Sequence, residues 1–278
     1  MTARLVHSVM AAGLENPELI ARWRHDPRLL AERDVELTGL DLDGLRKFAG
    51  LAAKIRHNGV REKLPLSFRL MSVARLEIEV FAAYAADRSR NGLRYAASVD
   101  DKTRDLVAFL GRWLDRGNPH HCLLWDLARH EQTLDALGRQ PQVPLAGPTK
   151  VAAPKAAKLA AATTPRIAGE IVLHEMTCEP NAVAACLYES RPRLDDLEIG
   201  PRLFCYWRPG EAGAIQILQL DAFGYYLLGL VDGLKSVADL SAALGCGRRP
   251  TRQFLQALRQ MASAGVLGFD PVPAARAR

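Results

Sequence analysis

The sequence predicts an α+β chain: an N-terminal helical bundle followed by a C-terminal domain made of a β-hairpin, three helices and a short strand. Three observations predict it. Apolar residues recur at helical spacing through the first 140 residues and are stopped repeatedly by glycine. The stretch "PQVPLAGPTKVAAPKAAKLAAATTPR", Pro141 to Arg166, holds five prolines, no acid and no aromatic residue. The stretch "CYWRPGEAGAIQIL", Cys205 to Leu218, reads as two apolar strands around a Pro-Gly turn. A hairpin with one wet face alternates apolar and polar residues. This one offers apolar residues to both faces, so both need cover.

The elements follow in order. Asn16 and Pro17 give an N-cap and a proline at the first helical position, and Leu19, Ile20 and Trp23 supply an apolar side. "DLDGLRKFAGLAAKIRHNG" carries Leu45, Phe48, Ala52 and Ile55 at helical spacing and stops at Gly59. "LPLSFRLMSVARLEIEVFAAYAADR" carries Phe68, Met71, Ile78, Phe81 and Tyr84. "SVDDKTRDLVAFLGRWLDRG" ends at Gly117 and "PHHCLLWDLARHEQTLDALG" at Gly138. About five such helices with short links make a bundle over residues 1–140. Residues 141–166 bury too little to order themselves and are expected to be a flexible Pro/Ala/Lys linker.

Residues 167–278 change texture. "EIVLHEM" and Arg202–Leu220 read as strands. "NAVAACLYES" fits strand or helix, with helix favoured. "DAFGYYLLGLVDG" begins at an Asp N-cap. "SVADLSAALG" begins at a Ser N-cap with Asp239 at the capping-box position. "RPTRQFLQALRQMASAG" has Pro250 near its first turn and a stop at Gly265, and "VLGF" returns as a strand. Hairpin, three helices and short strand make a winged-helix-like order.

The chain is 49% hydrophobic and 24% charged, which allows a real core, and its length suggests two domains. The net charge of +6 invites a nucleic-acid reading. Its distribution argues otherwise. Residues 1–140 carry 22 bases and 19 acids, residues 141–166 four bases and no acid, and residues 167–278 carry 11 bases and 12 acids. Five cysteines with no CxxC suit reduced thiols in a cytoplasmic protein. The opening "MTARLVHSVMAAGLENPEL" meets Glu15 too early for a signal peptide, and no apolar run approaches the length of a membrane span.

Phosphate-loop, dinucleotide, zinc-protease and nucleophile-elbow motifs are absent. Cys122 and His130 are eight apart and His121 and His130 nine apart, so no i,i+4 metal pair exists, and no metal ligand is assigned. Lys54, Arg56, His57, Arg61 and Lys63 surround a helix stop; they read either as a solvated helix end or as a partner-docking patch. Cys178, Cys186 and Cys205 sit in apolar surroundings that favour inert buried thiols. No catalytic residue is assigned.

The segment "FCYWRPGEAGAIQILQLDAFGYYLLGLVDGLKSVADLSAALG" resembles the peptide-recognition fold of the pyrroloquinoline-quinone peptide chaperone and, more widely, the RiPP recognition element of ribosomal-peptide modification pathways. "LPLSFRLM", "EIEVFAAYAA", "DLVAFLGRWL" and "PHHCLLWDLARHEQTLDAL" look like the helical domain of partner proteins encoded with multinuclear non-heme iron oxidative enzymes of methanobactin-type and thiaglutamate-type systems. "YWRPG" at Tyr206–Gly210 fits that family's hairpin pattern. The resemblance implies a non-catalytic chain, with the iron held by the partner enzyme and a precursor peptide held here by β-strand addition.

In recognition elements of this type the groove lies between the last strand before the helices and the third helix. Here that implies peptide contacts from Ile215, Ile217, Leu218 and Gln219, and from Arg252, Leu255 and Arg259. Arg252 and Arg259 fall on one helix stripe beside Leu255, and no acid occurs between Leu240 and Phe269, which suits an amphipathic peptide with acidic residues. Tyr206, Trp207, Arg56, His57 and Arg61 are the expected partner-docking residues. Two other readings compete. One is a winged-helix DNA-binding regulator, although nucleic acid is not the expected partner. The other is an enzyme using His120, His121 and His130.

Overall fold

The computed structural model describes residues 3–31, 40–139, 160–210 and 213–269. It shows an α-helical N-terminal region and a mixed α/β C-terminal region with two small sheets. Two compact units result, and they interleave along the chain. Unit 1 takes Met1–Gln132 and Pro180–Glu198, and unit 2 takes Thr133–Glu179 and Ile199–Arg278.

Unit 1 begins with α1 (Ala3–Glu15), α2 (Pro17–His25), α3 (Arg28–Ala31) and α4 (Leu42–Arg56). Pro17 opens α2 as expected, but Asn16 makes no capping hydrogen bond; its Oδ1 accepts the Ser89 hydroxyl instead. Asp41 caps α4, accepting from Gly44 N at 2.8 Å. A 3₁₀ turn, Asn58–Glu62, follows α4 and leads to α5 (Pro65–Val73) and α6 (Glu77–Arg90).

The sequence pattern runs through α5 and α6 without a break, yet the chain turns between them. Arg75 has φ +57°. Leu76 N reaches Met71 O at 2.8 Å and Arg75 N reaches Ser72 O at 3.2 Å. This pair of bonds is a Schellman ending with arginine at the left-handed position usually given to glycine, so no glycine marks it in the sequence.

After α7 (Val99–Trp113), capped by Ser98 on Asp101 N at 3.0 Å, comes α8 (Pro119–Arg139). From α8, Glu131 reaches back to the start of α5. It accepts from Leu66 N at 2.6 Å, from Ser67 N at 2.9 Å and from Ser67 Oγ at 2.6 Å. Leu64, the N-cap residue of α5, offers no side-chain acceptor. A buried carboxylate from a distant helix therefore satisfies first-turn N–H groups of α5 and lies at the positive end of its dipole. Burial pushes the Glu131 carboxyl up, and these hydrogen bonds oppose that shift.

In unit 2, β1 (Pro165–Ile167) and β2 (Glu170–Met176) follow residues 160–164. The segment Pro180–Tyr188 forms helix α9, in unit 1, as the sequence favours. Then come β3 (Arg202–Arg208), β4 (Gln216–Leu220), α10 (Ala222–Leu230), α11 (Val237–Ala243), α12 (Arg252–Ser263) and β5 (Leu267–Phe269). The end of the Pro/Ala/Lys segment is built into this unit. Arg166 pairs with Gly268 in the β1–β5 sheet, and Thr163 O and Ala161 O accept Val237 N and Ala238 N at the start of α11. Residues 141–159 of the expected linker lie outside the described residues.

The hairpin forms as the Pro-Gly turn suggests, with Gly210 at φ +61°. The larger sheet has the order β2-β3-β4, all antiparallel, with Leu203 opposite Leu220, Cys205 opposite Leu218, and Tyr206 opposite Ile217. Alternation then divides the side chains between two cores. Cys205, Trp207, Leu218, Leu220, Ile171 and Leu173 join the helical core with Leu227, Leu240, Phe254 and Leu258. Phe204, Tyr206, Val172, Ile215 and Ile217 join a second core closed by Leu134 and Leu137 of α8. The last turns of α8 thus cover the second face of the hairpin.

Candidate functional site

The site expected from the sequence is the edge of β4 and the neighbouring α12. Among the described residues β4 pairs on one side only, with β3, and stands at the end of its sheet. Gln216 and Gln219 are exposed, while Ile215, Ile217 and Leu218 are half-buried. Leu218 and Leu220 anchor the strand in the helical core, and Ile215 and Ile217 anchor it in the core under α8. The edge is therefore held from both faces while its outer backbone groups stay unpaired by the larger sheet.

Helix α12 starts at Thr251, whose hydroxyl accepts Phe254 N at 3.2 Å. It ends at Gly265, where φ is +84° and Val266 N reaches Met261 O at 3.0 Å, a Schellman ending that glycine accommodates without strain. Phe254, Leu258 and Ala262 are buried, and Leu255 packs against the same core as Leu218. Arg252 and Arg259 are exposed on one stripe. The helix meets the β4–α10 junction through its other side. Phe254 stacks edge-on to Phe223 at 5.9 Å, and the Met261 methyl lies beside Gly224. Met261 is 180° from Arg252 and 160° from Arg259 around the helix, so the arginines lie away from that contact.

The docking residues divide differently from the sequence expectation. Tyr206 and Trp207 are core side chains, 0% and 4% exposed. The Tyr206 hydroxyl points to Met176 Sδ at 3.7 Å, and Trp207 Nε1 donates to Ala168 O at 2.8 Å. Neither presents a surface to a partner, because both faces of β3 are covered. His57 is also fully buried: its Nδ1 pairs with Ala53 O at 2.7 Å, and Phe81, Tyr84 and Tyr95 surround its ring. Burial, aided by the nearby cations Lys102, Arg88 and Arg56, lowers its pKa, so it is a neutral core group. Arg56 and Arg61 remain exposed. Arg56 lies over Tyr95, and Arg61 lies over Phe68 and pairs with Glu77 at 3.1 Å.

The histidines of α8 do not converge. His120 faces Asp195 at 3.4 Å, His121 Nδ1 accepts Asp115 N at 3.1 Å, and His130 is buried, with its pKa lowered to about 4 by desolvation. Cys122 donates to Arg116 O at 3.2 Å. No group of three or more His, Cys, Asp or Glu able to hold a metal exists among the described residues, and no helix there is long and apolar enough to cross a membrane. Burial pushes the Cys205 thiol up to about 11, the opposite of nucleophile activation. The chain matches no protein-family model, and a search of curated proteins found no match.

Proposed function

We propose that the chain is a non-catalytic subunit that binds a ribosomally made precursor peptide by strand addition and presents it to a multinuclear iron oxidative enzyme. The observation that supports this most is the open edge of β4, anchored from both faces yet unpaired by the larger sheet on its outer side. On this reading unit 2 is a winged-helix-like recognition element. The leader adds as a fourth strand along Gln216–Leu220, and its alternate side chains meet the surface around Ile215, Ile217 and Gln219. Arg252 and Arg259 offer charge-assisted bonds to acidic residues of the peptide beyond the strand. The iron and its ligands belong to the partner enzyme.

Co-expression with an iron enzyme and a short peptide encoded beside this chain tests the proposal. A hetero-oligomer that retains the peptide and carries its iron in the enzyme is the expected result. Stoichiometric iron in the purified single chain, or a complex that never retains the peptide, would overturn it. A second reading, a DNA-binding regulator, draws on the exposed Arg248, Arg249, Arg252 and Arg259. DNA affinity that falls steeply with salt, without peptide retention, would favour that reading.

A further inference from the structure

Among the described residues of unit 1, an apolar stripe of α4 is left uncovered. Phe48, Leu51 and Ile55 are 56%, 40% and 59% exposed, and their spacing of three and four residues puts them on one face over two turns. Exposed hydrophobic residues scattered singly need no explanation, but three side by side form a patch. Phe48 also stands between two hollows. One of about 520 Å³ opens towards Met10 and Leu40, and one of about 260 Å³ opens towards Leu93 and Tyr95.

Bases outnumber acids along the stripe itself. From Gly44 to Arg61 the chain carries Arg46, Lys47, Lys54, Arg56 and Arg61 and no acid. At 100° per residue, Lys47 and Lys54 flank the stripe on one side and Arg56 flanks it on the other. Lys54 is paired with Glu77 at 2.8 Å, whereas Lys47 and Arg56 are exposed. The acids nearby are Glu15 and Asp41 at the rims of the hollows, where the Asp41 carboxylate caps α4, and Asp43 and Glu77, which pair with Arg24 at 2.9 Å and with Lys54.

We infer that this face of α4 docks an acidic amphipathic helix of a partner protein. The partner's apolar side chains, at a matching spacing of three and four residues, fill the hollows on either side of Phe48, and its flanking Asp or Glu residues meet Lys47 and Arg56. Charge decides against two other occupants. The chain's own segment 141–166 carries four bases and no acid, and a second copy would set Lys47 and Arg56 against their own kind. The inference goes beyond peptide holding by unit 2 and does not depend on it.

The test uses the full chain and two fluorescent 18-residue model helices, designed with the same leucine stripe and flanked by glutamates in one and by lysines in the other. The glutamate helix is expected to bind about tenfold or more tightly than the lysine helix, and Phe48→Glu and Ile55→Gln each to weaken it by a similar factor. Lys47→Glu narrows the gap between the two helices. Circular dichroism confirms that each variant is folded; Ile55→Gln, the milder change, serves if Phe48→Glu is not. Equal binding of the two helices, no binding of either, or binding unaffected by folded variants would overturn the inference. So would a concentration-dependent dimer that Phe48→Glu or Ile55→Gln dissolves, since a second copy would then be the occupant.

Discussion

His57 and His130 show how strongly a residue's role depends on its burial. His57 lies in the most basic stretch of the N-terminal half, yet it turns inward from the end of α4 onto the Phe81, Tyr84 and Tyr95 rings. Its neighbour Arg56 stays outside over Tyr95. Sequence spacing shows the cluster but not which member faces in, because the turn at the helix end sets that direction. Both histidines have folded pKa values below the ordinary 6.5. As pH falls, the unfolded chain therefore takes up protons first, and stability present above pH 6.5 is lost on the way down to the folded value. For His130 that window runs from 6.5 to about 4. At about 1.4 kcal/mol per pKa unit, its loss is on the order of 3 kcal/mol. Urea unfolding at stepped pH values should show His130→Gln losing less stability than the parent across this window. Parallel pH profiles would contradict the buried neutral histidine.

At the scale of the element, the hairpin carries the account. In an antiparallel ladder successive residues turn their N–H groups alternately to the paired strand and away from it. Of Gln216→Pro and Ile217→Pro, one therefore removes an outward donor and the other breaks the β3–β4 ladder. The first should lose peptide binding while circular dichroism and melting temperature stay near those of the parent; the second should lose both fold and binding. Full peptide binding by the folded proline variant would contradict strand addition at this edge.

Elements with their own local chemistry were legible in the sequence. The pairing of β3 with β4, the Asp221 cap on Gly224 N, the Ser236–Asp239 capping box and the stop at Gly265 all formed as read. The break at Arg75 was hidden because arginine holds a left-handed position. Strand β1 was hidden because three residues at the end of a Pro/Ala/Lys segment become a strand only by pairing with β5, a hundred residues away. The cover supplied by Leu134 and Leu137 was also hidden, since both residues simply continue the period of α8.

At the scale of the molecule, the two-faced hairpin finds cover on both sides inside unit 2, leaving its backbone edge, and not its faces, as the candidate surface. Of the residues proposed to hold the peptide, Ile217, Leu218 and Gln219 share strand β4, as their run in the sequence suggests. Tyr206 and Trp207 misled as docking residues because large aromatics in a strand look the same whether a core or a partner covers them. The interleaving of the units, with 133–139 in one and 180–198 in the other, rests on contacts between distant segments that no local pattern records. The most direct measurement is amide hydrogen exchange of the full chain with and without the proposed precursor peptide. The account predicts new protection at the alternate, outward amides of Gln216–Leu220, with β2 unchanged. Protection of β2 or of α12 alone, with β4 exchanging as in the free chain, would contradict it.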